Sequence, residues 1–184
     1  MPVRNKIVLF MALGSLAVVM TACSSADSSS DTTVVSPVAT DNPYGAGLVD
    51  PPQPGESILQ VDVRGVVTGF TLESLAELPA TKVDLYEPFI LTRSSFVGVS
   101  LADLFDSVGI KAEDKIDTVA LNEYRYANTA EKFTASDGLL AYEQNGEPIP
   151  MDRGGPVRIV FPDGTPLASV LDAWNWALSS IVVK

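Results

Sequence analysis

Between Asn145 and Gly164 the sequence reads NGEPIPMDRGGPVRIVFPDG, and turn chemistry there brackets a single apolar run. Asn145-Gly146 and Pro162-Asp163-Gly164 are tight-turn sequences. Pro148, Pro150 and Pro156 have no N–H to give to a helix or to a central strand. What can form between such turns is one short strand, Val157 to Phe161, held in a built rim. The segment also poses a functional question, whether its rim holds a ligand or only closes the fold.

The flanking sequence reads the same way. Ile58 to Val67 alternates as a strand, with Val61 and Val63 on one face and Asp62 and Arg64 on the other. Thr71 is placed to cap a short helix lined by Leu72, Leu75 and Leu78, and Pro79 follows its end. Lys82 to Leu85 and Phe89 to Val97 read as strands interrupted at Glu87-Pro88. Ser100 caps a second helix carrying Leu101, Leu104, Phe105 and Val108, with Asp103 at the reciprocal capping position and Gly109 at its end. Ile116 to Leu121 is a strand, Ser136-Asp137 opens a turn or short helix before Leu139 to Tyr142, and Trp174 to Val183 reads as the last strand. Strands outnumber two short helices, there are no internal repeats, and the expected class is α+β, a mixed, mostly β core, sheet or barrel-like, with a few short helices.

The N-terminal residues read as an address. Arg4 and Lys6 precede an apolar stretch from Ile7 to Met20, and small residues lead to Cys23. That order is a secretory signal, and the stretch is shorter than the roughly 20 residues of a membrane span. Met20-Thr21-Ala22-Cys23 resembles the bacterial lipobox, with Met20 where leucine, valine or isoleucine is usual. The reading is a lipoprotein signal peptide over 1–22, lipidation at Cys23, and a Ser/Thr/Asp/Pro-rich tether over 23–54 that lacks the apolar residues to fold. A single domain over 55–184 follows. The expected location is extracytoplasmic, anchored by lipid to the bacterial cell envelope. In a Gram-negative cell Ser24 directs it outward, because the retaining aspartate is absent after the cysteine.

Charge and residue inventory exclude much chemistry. The formal net charge is −11, and loss of Arg4 and Lys6 with the signal makes it −13. Such a surface repels nucleic acid, so no nucleic-acid partner is expected. The chain has one cysteine and no histidine. An intrachain disulfide, a Cys/His zinc site and the Ser-His-Asp and Cys-His catalytic arrangements are all ruled out.

Several segments in order resemble one family. Phe96-Val97-Gly98-Val99-Ser100-Leu101-Ala102-Asp103-Leu104-Phe105 is similar to the F-x-G-V-x-L-x-x-L-L segment of the oxidoreductase molybdopterin-binding domain, the fold of the sulfite oxidase catalytic core. Ala120-Leu121-Asn122-Glu123-Tyr124, Leu139 to Tyr142 with Asn145-Gly146-Glu147-Pro148, Asp152 to Pro162, and the tryptophan-containing Trp174 to Val183 resemble further segments of it. The resemblance implies the family's fold over about 59–183 and makes molybdopterin the candidate cofactor, although no cofactor is expected in this chain. Catalytic members ligate molybdenum through a cysteine just ahead of F-x-G-V, where this chain has Arg93-Ser94-Ser95. The family's rim histidine is Arg153 here. A hydroxyl is a poor substitute for sulfur toward molybdenum.

The candidate site therefore gathers Arg93, Ser94, Ser95, Arg125, Arg153, Gly154, Gly155 and Arg158. Guanidinium groups and backbone amides suit a phosphate or another small anion. The alternative for each arginine is pairing with a neighbouring acid, as Arg153 with Asp152. Asp137, Asp163, Asp172 and Glu123 offer carboxylates, but their spacing singles out no acid/base pair. No catalytic residue and no metal ligand is assigned. Tyr124, Tyr126, Trp174 and Trp176 read as packing on strands. The expectation is a lipid-anchored domain that binds a small anion or a partner protein without molybdenum redox catalysis. The other reading is a working molybdopterin-dependent oxidoreductase or a cofactor-bearing partner subunit.

Overall fold

The computed structural model describes residues 50–184, so the signal peptide, Cys23 and most of the tether lie outside the described residues. The first regular elements are β1 (Leu59–Val63) and β2 (Val66–Phe70). The expectation of one strand from Ile58 to Val67 is corrected here: the chain reverses at Arg64 and Gly65, which take φ of 55° and 89°. Both signs suit the tight turn that matches strand twist, and the Asp62 carboxylate fixes it by accepting from Gly65 N at 2.7 Å.

Helix α1 (Leu72–Ala76) starts at Thr71 as the sequence indicates. The Thr71 hydroxyl accepts from Ser74 N, and Ser74 Oγ accepts from Thr71 N in return. Strands β3 (Ala80–Glu87) and β4 (Thr92–Ser100) form a long hairpin; β3 runs two residues beyond each expected bound, whereas β4 starts at Thr92 rather than Phe89, because 88–91 form the turn, and continues to Ser100. Helix α2 (Leu101–Val108) begins at Ser100, whose hydroxyl accepts from Asp103 N, and ends at Gly109 with φ of 78°. Asp103 differs from expectation. Its carboxylate accepts from the Ser100 hydroxyl at 2.6 Å rather than reaching back to the backbone.

Strands β5 (Lys115–Ala120) and β6 (Arg125–Thr129) follow, then a third helix, α3 (Ala130–Thr134), which the count of two had left out. No side chain caps α3. It is held instead by tertiary bonds, Ala130 N to Asp114 O and Glu131 N to Ala112 O, which local sequence does not signal. Strands β7 (Leu139–Gln144), β8 (Glu147–Pro148), β9 (Arg158–Val160) and β10 (Leu178–Val183) complete the domain. The closing strand starts at Leu178, not Trp174. Leu171–Ala173 is a 3-10 turn and Ala177 takes φ of 48°, which breaks the extended run.

Two mixed-length sheets result. One has the order β2-β1-β10-β5-β6, with β1 and β10 parallel; the other runs β3-β4-β7-β8, with β9 on β7. One core cluster draws on both, with Leu59, Val61, Ile116 and Ile181 from the first and Leu85, Phe96, Leu140 and Ile159 from the second. The fold is α+β with a predominantly β core. Gly98 explains one motif position: β4 and β7 shift register between Val97 and Gly98, and a Cβ at Gly98 would run into the Leu140 carbonyl. Only glycine lets the two backbones approach so closely.

Candidate functional site

The rim from Ile149 to Gly164 closes over the inner face of the β3–β4 hairpin. Register puts Leu85 opposite Ser94 and Glu87 opposite Thr92, so Glu87, Ser94 and Phe96 share the inward face. Tyr86 and Arg93, opposite each other, share the outward one. From β9, Arg158 enters the inward face. Its Nη2 donates to Glu87 Oε1 at 3.1 Å, with both side chains 1% exposed. Its guanidinium lies 4.1 Å from the Trp176 ring centroid and 5.7 Å from that of Phe96, and Nη1 donates to Arg153 O at 3.3 Å. Charge pairing, aromatic faces and a backbone carbonyl together make this burial tolerable.

Gly154 packs closely against Trp176. The glycine ends the 3-10 turn Met151–Arg153 with φ of 82°, and a Cβ there would sit 2.8 Å from three atoms of Trp176. Phe89, at the hairpin tip, meets Trp176 edge-on at 5.0 Å and Trp174 at 6.2 Å. Neither tryptophan lies on a strand, contrary to the expectation. Trp174 is buried, with Nε1 donating to Ala168 O at 3.2 Å.

The expected site residues do not converge on one face. Arg158 and Ser94 are inside. Ser94 is 3% exposed, and Gln144 Nε2 donates to its hydroxyl at 3.1 Å. Ser95 lies in the hairpin register with its N–H given to Asn145 Oδ1 at 3.0 Å, which also locks the Asn145-Gly146 turn. Arg93 is on the outer face, 2.9 Å from Asp163, and Arg125 on β6 is 3.9 Å from Asp117. Arg153 is exposed on the rim and, among the described residues, does not pair with Asp152. The amides of Gly154 and Gly155 are given to Met151 O at 3.2 Å and Pro150 O at 3.0 Å. Those two donors are spent inside the turn itself.

Glu87 was missed by sequence reading, where Glu87-Pro88 registered only as an interruption between strands. Its second oxygen, Oε2, is buried without a hydrogen-bond partner. The alternation that puts Leu85 inward also puts Glu87 inward, which is the signal that was available. On the outer face the Asp163 carboxyl is held below its usual value of 3.8, first by the Tyr86 N–H at 2.8 Å and then by Arg93. Burial raises the Tyr124 phenol, and Asp172 adds to the effect; Tyr124 Oη donates to Asp172 O at 3.2 Å.

Comparison with known proteins fits this architecture. The sulfane dehydrogenase SoxCD of Paracoccus pantotrophus superposes with a TM-score of 0.54 at 20% identity, over 68% of this chain and 37% of its own, a likeness of fold alone. The chain thus spans well under two thirds of that protein's length. No curated protein sequence matches. The family model for the oxidoreductase molybdopterin binding domain matches residues 76–174, from the end of α1 through β9 to Trp174. With that match covering more than half of its length, the chain belongs to the oxidoreductase molybdopterin binding domain family.

Proposed function

We propose that this chain is a lipid-anchored extracytoplasmic protein whose molybdopterin-binding-type domain acts as a binding module rather than as a molybdenum redox catalyst. The donor set carries the reading. Molybdenum of this class is held by sulfur-rich donors, and the single cysteine of the chain is Cys23, in the lipobox-like segment ahead of the domain. Ser94 offers a hydroxyl that already accepts from Gln144 beneath the surface. Among the described residues, no three His, Cys, Asp or Glu side chains are grouped to hold a metal ion. The residues present do not fit a metal held through a protein thiolate.

The same geometry favours a protein partner over a small anion. Arg93 and Arg158 already face carboxylates at hydrogen-bond distance, and the Gly154 and Gly155 amides are used within the turn. Of the two rim arginines, Arg153 and Arg158, Arg153 is the exposed one. Family membership supports a second reading, a molybdopterin-dependent oxidoreductase or its cofactor-bearing partner subunit.

Elemental mass spectrometry and pterin fluorescence on the purified full chain test the choice. The expected result is no stoichiometric molybdenum; one molybdenum with pterin per chain overturns the reading. A Cys23→Ala variant tests the anchor independently. It should move from the membrane fraction to the soluble one, and unchanged membrane retention counts against lipidation.

A further inference from the structure

Among the described residues, six large apolar side chains on three segments stand exposed. The β3–β4 tip presents Tyr86, Ile90 and Leu91, the β5–β6 turn presents Leu121 and Tyr124, and the 3-10 turn presents Leu171, each between 42% and 70% exposed. These segments are distant in sequence but converge on one stretch, 171–177. Phe89 ties the first to Trp174 and Trp176, at 6.2 and 5.0 Å. Leu121 N to Ala177 O at 2.9 Å and Tyr124 Oη to Asp172 O at 3.2 Å tie the second. Apolar side chains gathered in this way, and rimmed by polar ones, mark interaction surfaces.

Charge identifies the occupant. Residues 50–184 carry 20 acidic and 10 basic side chains, a formal net charge of −10. Around the patch, Glu123 lies between Leu121 and Tyr124, and Asp172 follows Leu171. Arg93 on the same hairpin is neutralised by Asp163. Arg125 on β6, 3.9 Å from Asp117, and Arg153 on the rim are too few to reverse the sign. A second copy of this chain would bring like charge against like, and so would an anionic bilayer surface. We infer that this face docks a different protein, one that presents apolar side chains ringed by lysine and arginine.

The proposal rests on the binding-module reading but fails separately from it, since metal analysis decides that reading and says nothing about this surface. The test places a benzophenone amino acid at Leu91, at Leu171 or, as control, at Val66, which is equally exposed on the far hairpin. Full-length chains carrying it are irradiated in the cells that make the protein, and the adduct is identified. The expected result is one protein with a basic docking face, captured from Leu91 and Leu171 but not from Val66. With that protein purified, affinity should fall at least tenfold between about 50 and 500 mM salt, and at least tenfold again in Leu171→Asp and in Glu123→Lys. Melting temperatures of the variants, measured alongside, exclude loss of fold as the cause. Adducts only with a second copy, only with lipid, equally from Val66, or with nothing overturn the proposal. So does a captured protein whose binding ignores salt and both substitutions.

Discussion

Arg158 Nη2 donates to Glu87 Oε1 at 3.1 Å across 71 residues of sequence, in surroundings from which water is almost wholly excluded. The pair joins the end of β3 to the start of β9 and supplies the platform on which Trp176 lies. Removing one partner leaves the other buried and uncompensated. Glu87→Ala and Arg158→Ala are each expected to cost about 3–5 kcal/mol. The double replacement Glu87→Leu/Arg158→Met should recover much of that loss. Urea unfolding of the three variants checks this, and additive losses in the double variant would contradict it.

Gly154→Ala tests the contact beneath Trp176. Both the left-handed backbone and the 2.8 Å approach oppose a methyl group there. Destabilisation of about 1–3 kcal/mol is expected. Tryptophan emission should shift toward the red as Trp176 leaves Arg158, and a Trp176→Phe background should abolish that shift. An unchanged spectrum in Gly154→Ala would mean the ring is free to give way.

Gly98→Ala meets backbone rather than a movable side chain, because the Leu140 carbonyl occupies the space. A cost of about 3 kcal/mol or more, or failure to fold, is the expected outcome. Thermal denaturation reads it directly. A variant melting within a few degrees of the parent would show that the β4–β7 bulge can relax.

Asp163 gives the domain an acid-side pH dependence of known sign. Its carboxyl is held below the usual 3.8, chiefly by the Tyr86 N–H and secondarily by Arg93. A depressed folded-state value stabilises the fold at pH above the unfolded value, and the contribution disappears as pH falls through the folded one. Since the carboxylate is 47% exposed, the contribution is small, at most about 1 kcal/mol. The Tyr86 amide resonance should titrate with a midpoint below 3.8. Arg93→Gln should raise that midpoint only in part, because the backbone bond remains. A full return to 3.8 in that variant would make the guanidinium the dominant cause.

Local chemistry was the part of the fold that the sequence made legible. Thr71 and Ser100 cap helices, Asn145-Gly146 turns a hairpin with φ of 55° and 85°, and Val157 to Phe161 is buried along its length, because each depends on neighbours within a few residues. What escaped depends on distant partners. Helix α3 is held by the 112–114 loop, and the stretch from Trp174 to Ala177 is shaped by Gly154 and Phe89 rather than by its own alternation. Glu87 escaped for the same reason. A carboxylate is almost never fully buried without a mate, and the mate stands 71 positions away. Among the expected site residues, Arg158 and Ser94 share the inward face, whereas Arg93 pairs with Asp163 on the outer face and Arg125, on the other sheet, lies 3.9 Å from the buried Asp117.

The place of β10 between β1 and β5 has a kinetic corollary. Val61 finds its register partner in Ile181, and Ile181 simultaneously pairs with Thr118. Until residues 178–183 are available, the β1–β2 and β5–β6 hairpins have no strand between them, and each keeps an open inner edge. That sheet is therefore finished last by construction, through contacts of the longest range in the domain, a pattern associated with slow folding. During synthesis, that sheet cannot close before residues 178–183 have been added.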